Sequence, residues 1–403
     1  MTTLPAATRA AINLLSLAAF FSGAALRICD GLIPRLARDF GVTPGQAGQV
    51  VITFSIAYGI AQLGFGPLGD RYGKARLVCV ALFGCAVGAL ACAFAPDFTA
   101  LTGLRVIWGI AAAGVIPLAM AWVGDTVPYE QRQVTLARLL MGTLSGMMIG
   151  QLAGGLFADS AAGWRGAFLA LFAGYVGIAL LLLLRLRHIA AAPPPAPGSG
   201  RFGLLAQLGT VLRERWPRLV LAAALAEGIF LLGPLAYLPA FLHARFGLAL
   251  SAATALIALY AVGGLVYTAT ARHVVRRWGE RRMVLAGGML MGAGFAGWFA
   301  APMGWLAAPI ALLVGFGTYL FHNTLQTNAT QMVPAVRGTA VALFAFCLFF
   351  GQAIGVTLAG WAFDRFGGGP LLLVPAAALP VAGWLFSRAL ARRAAAASQA
   401  RPA

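Results

Sequence analysis

Acidic residues are scarce in this chain: 11 Asp and Glu stand against 29 Lys and Arg in 403 residues. So few carboxylates leave no plausible paired-carboxylate site, and neither an H-E-x-x-H pattern nor a G-x-S-x-G elbow occurs, so a hydrolase is not favoured and no catalytic residue is assigned. The five cysteines, Cys29, Cys79, Cys85, Cys92 and Cys347, lie in apolar stretches without a C-x-x-C pair, so neither disulfides nor a metal site is expected. A phosphate loop is missing too. Its nearest approach, Gly73-Lys74-Ala75, lacks both the earlier glycine and a following Ser or Thr, so ATP is not expected as energy source and no cofactor is implied. Charge of either sign is rare, at 10% of residues, against 61% hydrophobic residues and a mean hydropathy of +0.86. A water-soluble core cannot bury that much apolar surface, and the chain reads as an integral membrane protein. Residues 1–30 contain no short apolar run ending in a cleavage site, so the first apolar segment is expected to stay as a span.

Twelve apolar segments can be placed, at 11–36, 47–68, 77–95, 98–123, 134–158 and 164–186, then at 218–242, 250–271, 283–300, 303–330, 335–363 and 370–391. Each approaches the roughly 20 residues that a helical span requires. The expected fold is all-α, with twelve transmembrane helices in two pseudo-symmetric six-helix bundles, residues 1–187 and 217–403, around a central cavity and joined by a linker at 188–216. The linker holds Pro193-Pro194-Pro195, Pro197 and Gly198-Ser199-Gly200, a composition suited to an extended connector. Phe202, Leu205, Leu208 and Leu212 beside Arg201, Arg213 and Arg215 are spaced for a short helix on the membrane surface, with an unstructured basic linker as the alternative.

The net charge of +18 raises the question of nucleic acid, and the distribution of the bases answers it. Twenty-two Lys and Arg fall on one side of the proposed spans and five on the other, namely Arg35, Arg38, Arg165, Arg245 and Arg365, while Arg27 and Arg105 fall inside. This is the positive-inside bias of a multi-pass protein of the cell inner membrane with both termini and the linker cytoplasmic, not a nucleic-acid surface.

Between the second and third segments the chain reads Gly66-Pro67-Leu68-Gly69-Asp70-Arg71-Tyr72-Gly73-Lys74-Ala75-Arg76-Leu77. Its glycines suit a tight turn, Asp70 is placed to cap the next helix, and Arg71, Lys74 and Arg76 hold the turn on the basic side. A weaker copy, Arg276-Arg277-Trp278-Gly279-Glu280-Arg281-Arg282-Met283, begins 206 residues after Asp70. Two more pairs support a duplication: Val127-Pro128 with Val333-Pro334, and Gly150-Gln151-Leu152-Ala153-Gly154 with Gly351-Gln352-Ala353-Ile354-Gly355.

The first of these stretches resembles the loop between spans 2 and 3 of the major facilitator superfamily, G-x-x-x-D-R-x-G-[RK]-[RK], departing from it at Ala75. The resemblance extends along nearly the whole chain, as far as Gly360-x-x-x-Asp364, an echo of Gly155-x-x-x-Asp159. It implies a gradient-driven carrier working by alternating access, with Gly66, Gly69, Asp70, Arg71, Gly73 and Lys74 acting on the conformational switch. Asp30-Gly31-Leu32-Ile33-Pro34 is similar to the D-x-x-x-P of drug/proton antiporters, and Leu101 to Gly109 to the span 4 motif L-x-x-x-R-x-x-Q-G, whose arginine, here Arg105, is linked to proton coupling; Trp108 stands where Gln is usual.

Ionisable groups inside a span are costly and are functional candidates. Arg27 and Asp30, three apart, share a helix face and can pair. Arg105 lies on the order of 10 Å deep and Glu227 near mid-membrane, at 1.5 Å rise per residue. Desolvation favours a protonated Asp30 while a neighbouring guanidinium favours the carboxylate, so Asp30 is expected to carry the coupling proton, tuned by Arg27 and Arg105, with Glu227 as the competing carrier. A structural ion pair is the alternative for Arg27, Asp30 and Arg105, and snorkelling toward the cytoplasm for Glu227.

Span 5 carries Gly142, Gly146, Gly150 and Gly154 at a spacing of four, a flat stripe for close helix packing. It resembles the antiporter motif G-x-x-x-G-P-x-x-G-G, with Gln151 in place of the proline. Gln151 and Gln352 are candidates to line the cavity, together with Tyr58, Gln62, Tyr237, Tyr319, His322, Asn323 and Gln326; hydrogen bonding between helices is the alternative for the span 10 group. The expected activity is proton-coupled efflux of a small organic molecule by a monomer in the bilayer. The alternatives are uptake of an organic anion, or a non-transporting sensor or lipid flippase. The topology is checked by cysteine labelling in intact cells: a cysteine at Ser199 should resist an impermeant external reagent and one at Gly163 should react, and the reverse pattern would invert the protein.

Overall fold

The computed structural model describes residues 5–185 and 203–399; most of the expected linker and Phe202 lie outside them. Every regular element among the described residues is helical. Eleven helical stretches are long and apolar enough to cross a membrane: Ala6–Phe40, Pro44–Gly69, Lys74–Ala93, Phe98–Thr126, Val134–Asp159, Gly163–Arg185, Arg215–Phe246, Leu250–Ala300, Gly304–Gln331, Pro334–Phe366 and Gly368–Ala395. The 51-residue stretch Leu250–Ala300 is two spans, because Gly279 breaks it with φ 68° and ψ 167°, a conformation that favours glycine. The described residues therefore hold twelve spans, numbered here in chain order.

Several expected boundaries move. Residues 272–278, read as loop, continue span 8 as helix, since arginine is a strong helix former and nothing interrupts the backbone before Gly279. The stretch between spans 2 and 3 shrinks in the same way. Gly66 to Tyr72 are helical, the next helix starts at Lys74, and the cap position is Gly73 at φ 89°, not Asp70. Span 4 is broken at Ala113 and Gly114, ahead of Pro117, whose ring nitrogen cannot donate to the Ala113 carbonyl. A short helix forms at Leu204–Arg213, with Leu205 and Leu212 exposed.

The chain divides into two compact units, Met1–Gln207 with Ala249–Thr254, and Leu208–Leu248 with Ala255–Ala403. In the first, span 5 lies directly on span 1. A methyl group at Gly142, Gly146, Gly150 or Gly154 would run into the backbone carbonyl of Ser16, Phe20, Ala24 or Ile28 respectively, so the four-residue glycine spacing of one helix matches four-residue steps along the other. In the second unit Gly351 and Gly355 of span 11 meet the carbonyls of Leu225 and Ile229 of span 7 in the same manner. A shift of 201 residues carries Ala24, Ile28, Gly150 and Gly154 onto Leu225, Ile229, Gly351 and Gly355, so the duplication extends to individual contacts.

These contacts leave no space for a side chain. Gly146→Ala should destabilise the purified protein by about 1–3 kcal/mol, the usual cost of overpacking, seen as a lowered unfolding midpoint in detergent. Gly177→Ala, where nothing lies within 4 Å of an added methyl, should leave the midpoint unchanged.

Candidate functional site: buried ionisable pairs in the two units

In the first unit Arg27 donates through Nη1 to Oδ2 of Asp30 at 3.0 Å, the pair that the three-residue spacing predicts. Both side chains are buried, and Oδ1 of Asp30 has no hydrogen-bond partner. Arg105 is 1% exposed. Its Nε donates to the carbonyl of Val50 in span 2 at 3.0 Å, and its guanidinium lies 4.1 Å from the ring centre of Phe54 and 4.8 Å from that of Trp108. No hydrogen bond joins Arg105 to Asp30 among the described residues, so any influence of one on the other acts through space. Trp108, in the position where the resembling motif has Gln, supplies an aromatic face to this cation. It is itself held edge-on by Phe54, Phe168 and Tyr175, at ring distances of 6.1, 5.5 and 6.2 Å. Tyr58 stacks on Phe54 at 6.0 Å. Gln62 is half-buried, and Gln151 is buried.

In the second unit Glu227 does not reach for the membrane surface. It is 2% exposed, and Nδ1 of His322 in span 10 lies 3.0 Å from both of its carboxylate oxygens. The imidazole packs 5.8 Å from the Phe344 ring and keeps 22% of its side chain accessible. Immediately after Glu227 the helix widens into a π turn, Gly228–Leu232, a rare geometry that is found mostly at functional positions. The rest of the span 10 group is divided among other partners. Asn323 donates to the hydroxyl of Tyr267 at 2.8 Å, Tyr319 stacks on Tyr267 at 6.3 Å, and Asn328 donates to Glu280 at 3.0 Å. Gln326 is exposed, Gln352 is buried beside Gly351, and Tyr237 is buried against Phe363.

The stretch between spans 2 and 3 gains a partner that the sequence did not suggest: Lys74 Nζ forms an ion pair with Asp125, at the end of span 4 and 51 residues away. Arg71 lies over the Tyr72 ring, Gly69 is backed by Leu118, and Gly66 faces open space. Asp159, noticed only as part of a repeat, accepts from the backbone N–H of Ser251 at 2.8 Å and from its hydroxyl at 2.6 Å, within the first unit.

Twelve spans in two units built on one repeated contact, each holding an acid paired with a base inside its helices, define a polytopic membrane carrier. The profile of the Major Facilitator Superfamily matches residues 15–356, and the chain belongs to that superfamily. It is 25% identical over 351 residues to the uncharacterized MFS-type transporter YceJ of Bacillus subtilis, covering 86% of this chain and 87% of that one. Over a shorter region, 36% of this chain and 29% of its relative, it is 33% identical to the multidrug export protein EmrB of Haemophilus influenzae. The crystal structure of a D-xylose-proton symporter has the same fold, with a TM-score of 0.73 at 15% identity, covering 94% of this chain and 96% of that one.

Arg105 bonds a carbonyl and stacks on two rings at once, which a planar guanidinium can do and an ammonium cannot. Arg105→Lys should therefore fail to substitute, lowering the unfolding midpoint and cutting substrate counterflow by roughly tenfold or more, the cost of one lost charge-assisted bond. Wild-type behaviour in both measurements would show the stack to be dispensable.

Proposed function

We propose that this protein is a proton-coupled exporter of a small organic molecule in the cytoplasmic membrane, with both termini inside, and that Glu227 with His322 carries the proton. The observation behind this assignment is the pair itself. A carboxylate buried among helices is held by an imidazole whose edge remains accessible, so a proton has a donor and acceptor at the edge and a store behind it. Uptake of one proton takes the pair from a net charge of −1 to neutral, whichever atom holds it. Neutralising a buried charge lowers its desolvation cost and lets the surrounding helices repack, which is the coupling that a carrier needs. Export is supported by the relative named as a multidrug export protein and by the glycine stripe of span 5, whose missing proline is the departure that weighs against it.

Asp30 is the second reading, favoured by its unpartnered Oδ1, which is free to hold a proton while Oδ2 stays on Arg27. Substrate-driven proton flux in proteoliposomes, measured beside gradient-free counterflow, separates the two. Glu227→Gln should abolish proton flux and retain counterflow, whereas Asp30→Asn should retain both. The opposite result moves the proton to Asp30, and full proton flux in both variants rejects proton coupling through either acid.

A further inference from the structure

The helical extension of span 8, expected to be loop, carries a feature that the proton pair does not use. Ala269, Arg272, His273, Arg276 and Arg277 recur at i, i+3, i+4, i+7 and i+8, so they share one helix face, and they line an open cavity of about 520 Å³. All five are exposed. The far side of the same turns faces protein: Tyr267 and Val274 are buried with Met283 and Leu320 in the core of the second unit.

No ion pair to Arg272, Arg276 or Arg277 occurs among the described residues. Glu280 is the acid of this stretch, and it is engaged by Asn328. Arg272 and Arg276 stand one turn apart, a spacing at which like charges repel and destabilise a helix. Positive-inside topology accounts for bases on this side of the membrane, but it is indifferent to the face they occupy. Arg281 and Arg282 satisfy it without lining the cavity. Three guanidinium groups on one face of a concavity are the donor set that recognises carboxylate or phosphate in a bidentate manner. The volume lies within the roughly 300–1,000 Å³ of small-molecule sites. A lipid headgroup is the less fitting source of that anion, because Trp278, the aromatic suited to the bilayer interface, lies about 200° around the helix from Arg276 at about 100° per residue.

We propose that Arg272, His273, Arg276 and Arg277 form a binding site for a small soluble organic anion bearing a carboxylate or a phosphate, and that the transported substrate is such an anion, collected here from the cytoplasm. This rests on the exporter reading and its topology, and it accords with the membrane potential, since an inside-negative potential drives anions outward.

The test uses the full chain with Ala269→Cys as reporter, which leaves Arg272, His273, Arg276 and Arg277 in place, in a Cys347→Ser background; the other four cysteines are buried. A negatively charged methanethiosulfonate should label the introduced thiol about tenfold faster than a positively charged one after correction for free-thiol rates, the bias that a potential of a few kT imposes. Millimolar benzoate or phenyl phosphate should slow labelling about threefold while benzamide does not, and Arg272→Gln with Arg276→Gln should remove both effects, as lost charge-assisted contacts require. Equal rates for the two reagents, or equal protection by benzamide, overturns the proposal. Protection by phosphatidylglycerol vesicles with none by the soluble anions overturns it in favour of a headgroup. Counterflow on the same preparation keeps the two readings apart: anion protection without flux of any anion retains the site and removes the carrier reading, whereas flux of an uncharged substrate without protection does the reverse.

Discussion

The fold depends on two helix backbones touching with no side chain between them. Span 5 presents glycine every fourth residue to the carbonyls of span 1, and span 11 does the same to span 7. In a bilayer the hydrophobic effect does not drive helices together, so contact area and dispersion must, and removal of the side chains is what brings the axes close. These contacts fix the azimuth of spans 1 and 7, and with it the direction in which their charged residues project.

Those charges use the fixed geometry differently. Arg27 and Asp30 lie on one helix and meet across a single turn, so their pairing asks nothing of the rest of the unit. Glu227 and His322 lie on different helices, and their contact exists only while spans 7 and 10 stay packed. The first is a local element, and the second reports on the arrangement of its unit. Arg105 is a third kind, a cation bound to a carbonyl and to two rings, without a carboxylate partner among the described residues.

What could be read from the residues follows the range of the interaction. Periodicity gave the spans, the charge bias gave an expected topology, and a glycine every four residues gave the close helix contact, because each is written within one segment. The three-residue spacing of Arg27 and Asp30 gave their pair for the same reason. The partner of Glu227 lies 95 residues away and that of Lys74 lies 51 away, and nothing in either local stretch encodes the meeting. The helix through 272–278 was misread because arginines that mark the basic side of a membrane are equally at home in a helix that has left it. Gln151 and Gln352 were singled out as polar residues in apolar spans, and both are buried next in sequence to a glycine of the close contact.

The π turn after Glu227 has a consequence for how the two halves diverged. Up to Ile229, span 7 follows span 1 at an offset of 201 residues, as the matched carbonyls show. Beyond it, Gly233 abuts Gly355 and Val356 just as Gly31 abuts Gly154 and Gly155, and the offset for span 7 has become 202 while that for span 11 is still 201. One extra residue has entered the helix between those points, and the wide turn Gly228–Leu232 is where it is stored. Inserted anywhere into an ordinary α-helix, a residue would rotate everything beyond it by about 100° and carry the glycine contact off its partner. Absorbed as a bulge, it leaves both ends of the contact in register, so the same backbone contact is kept in the two halves although their sequences no longer align there without a gap.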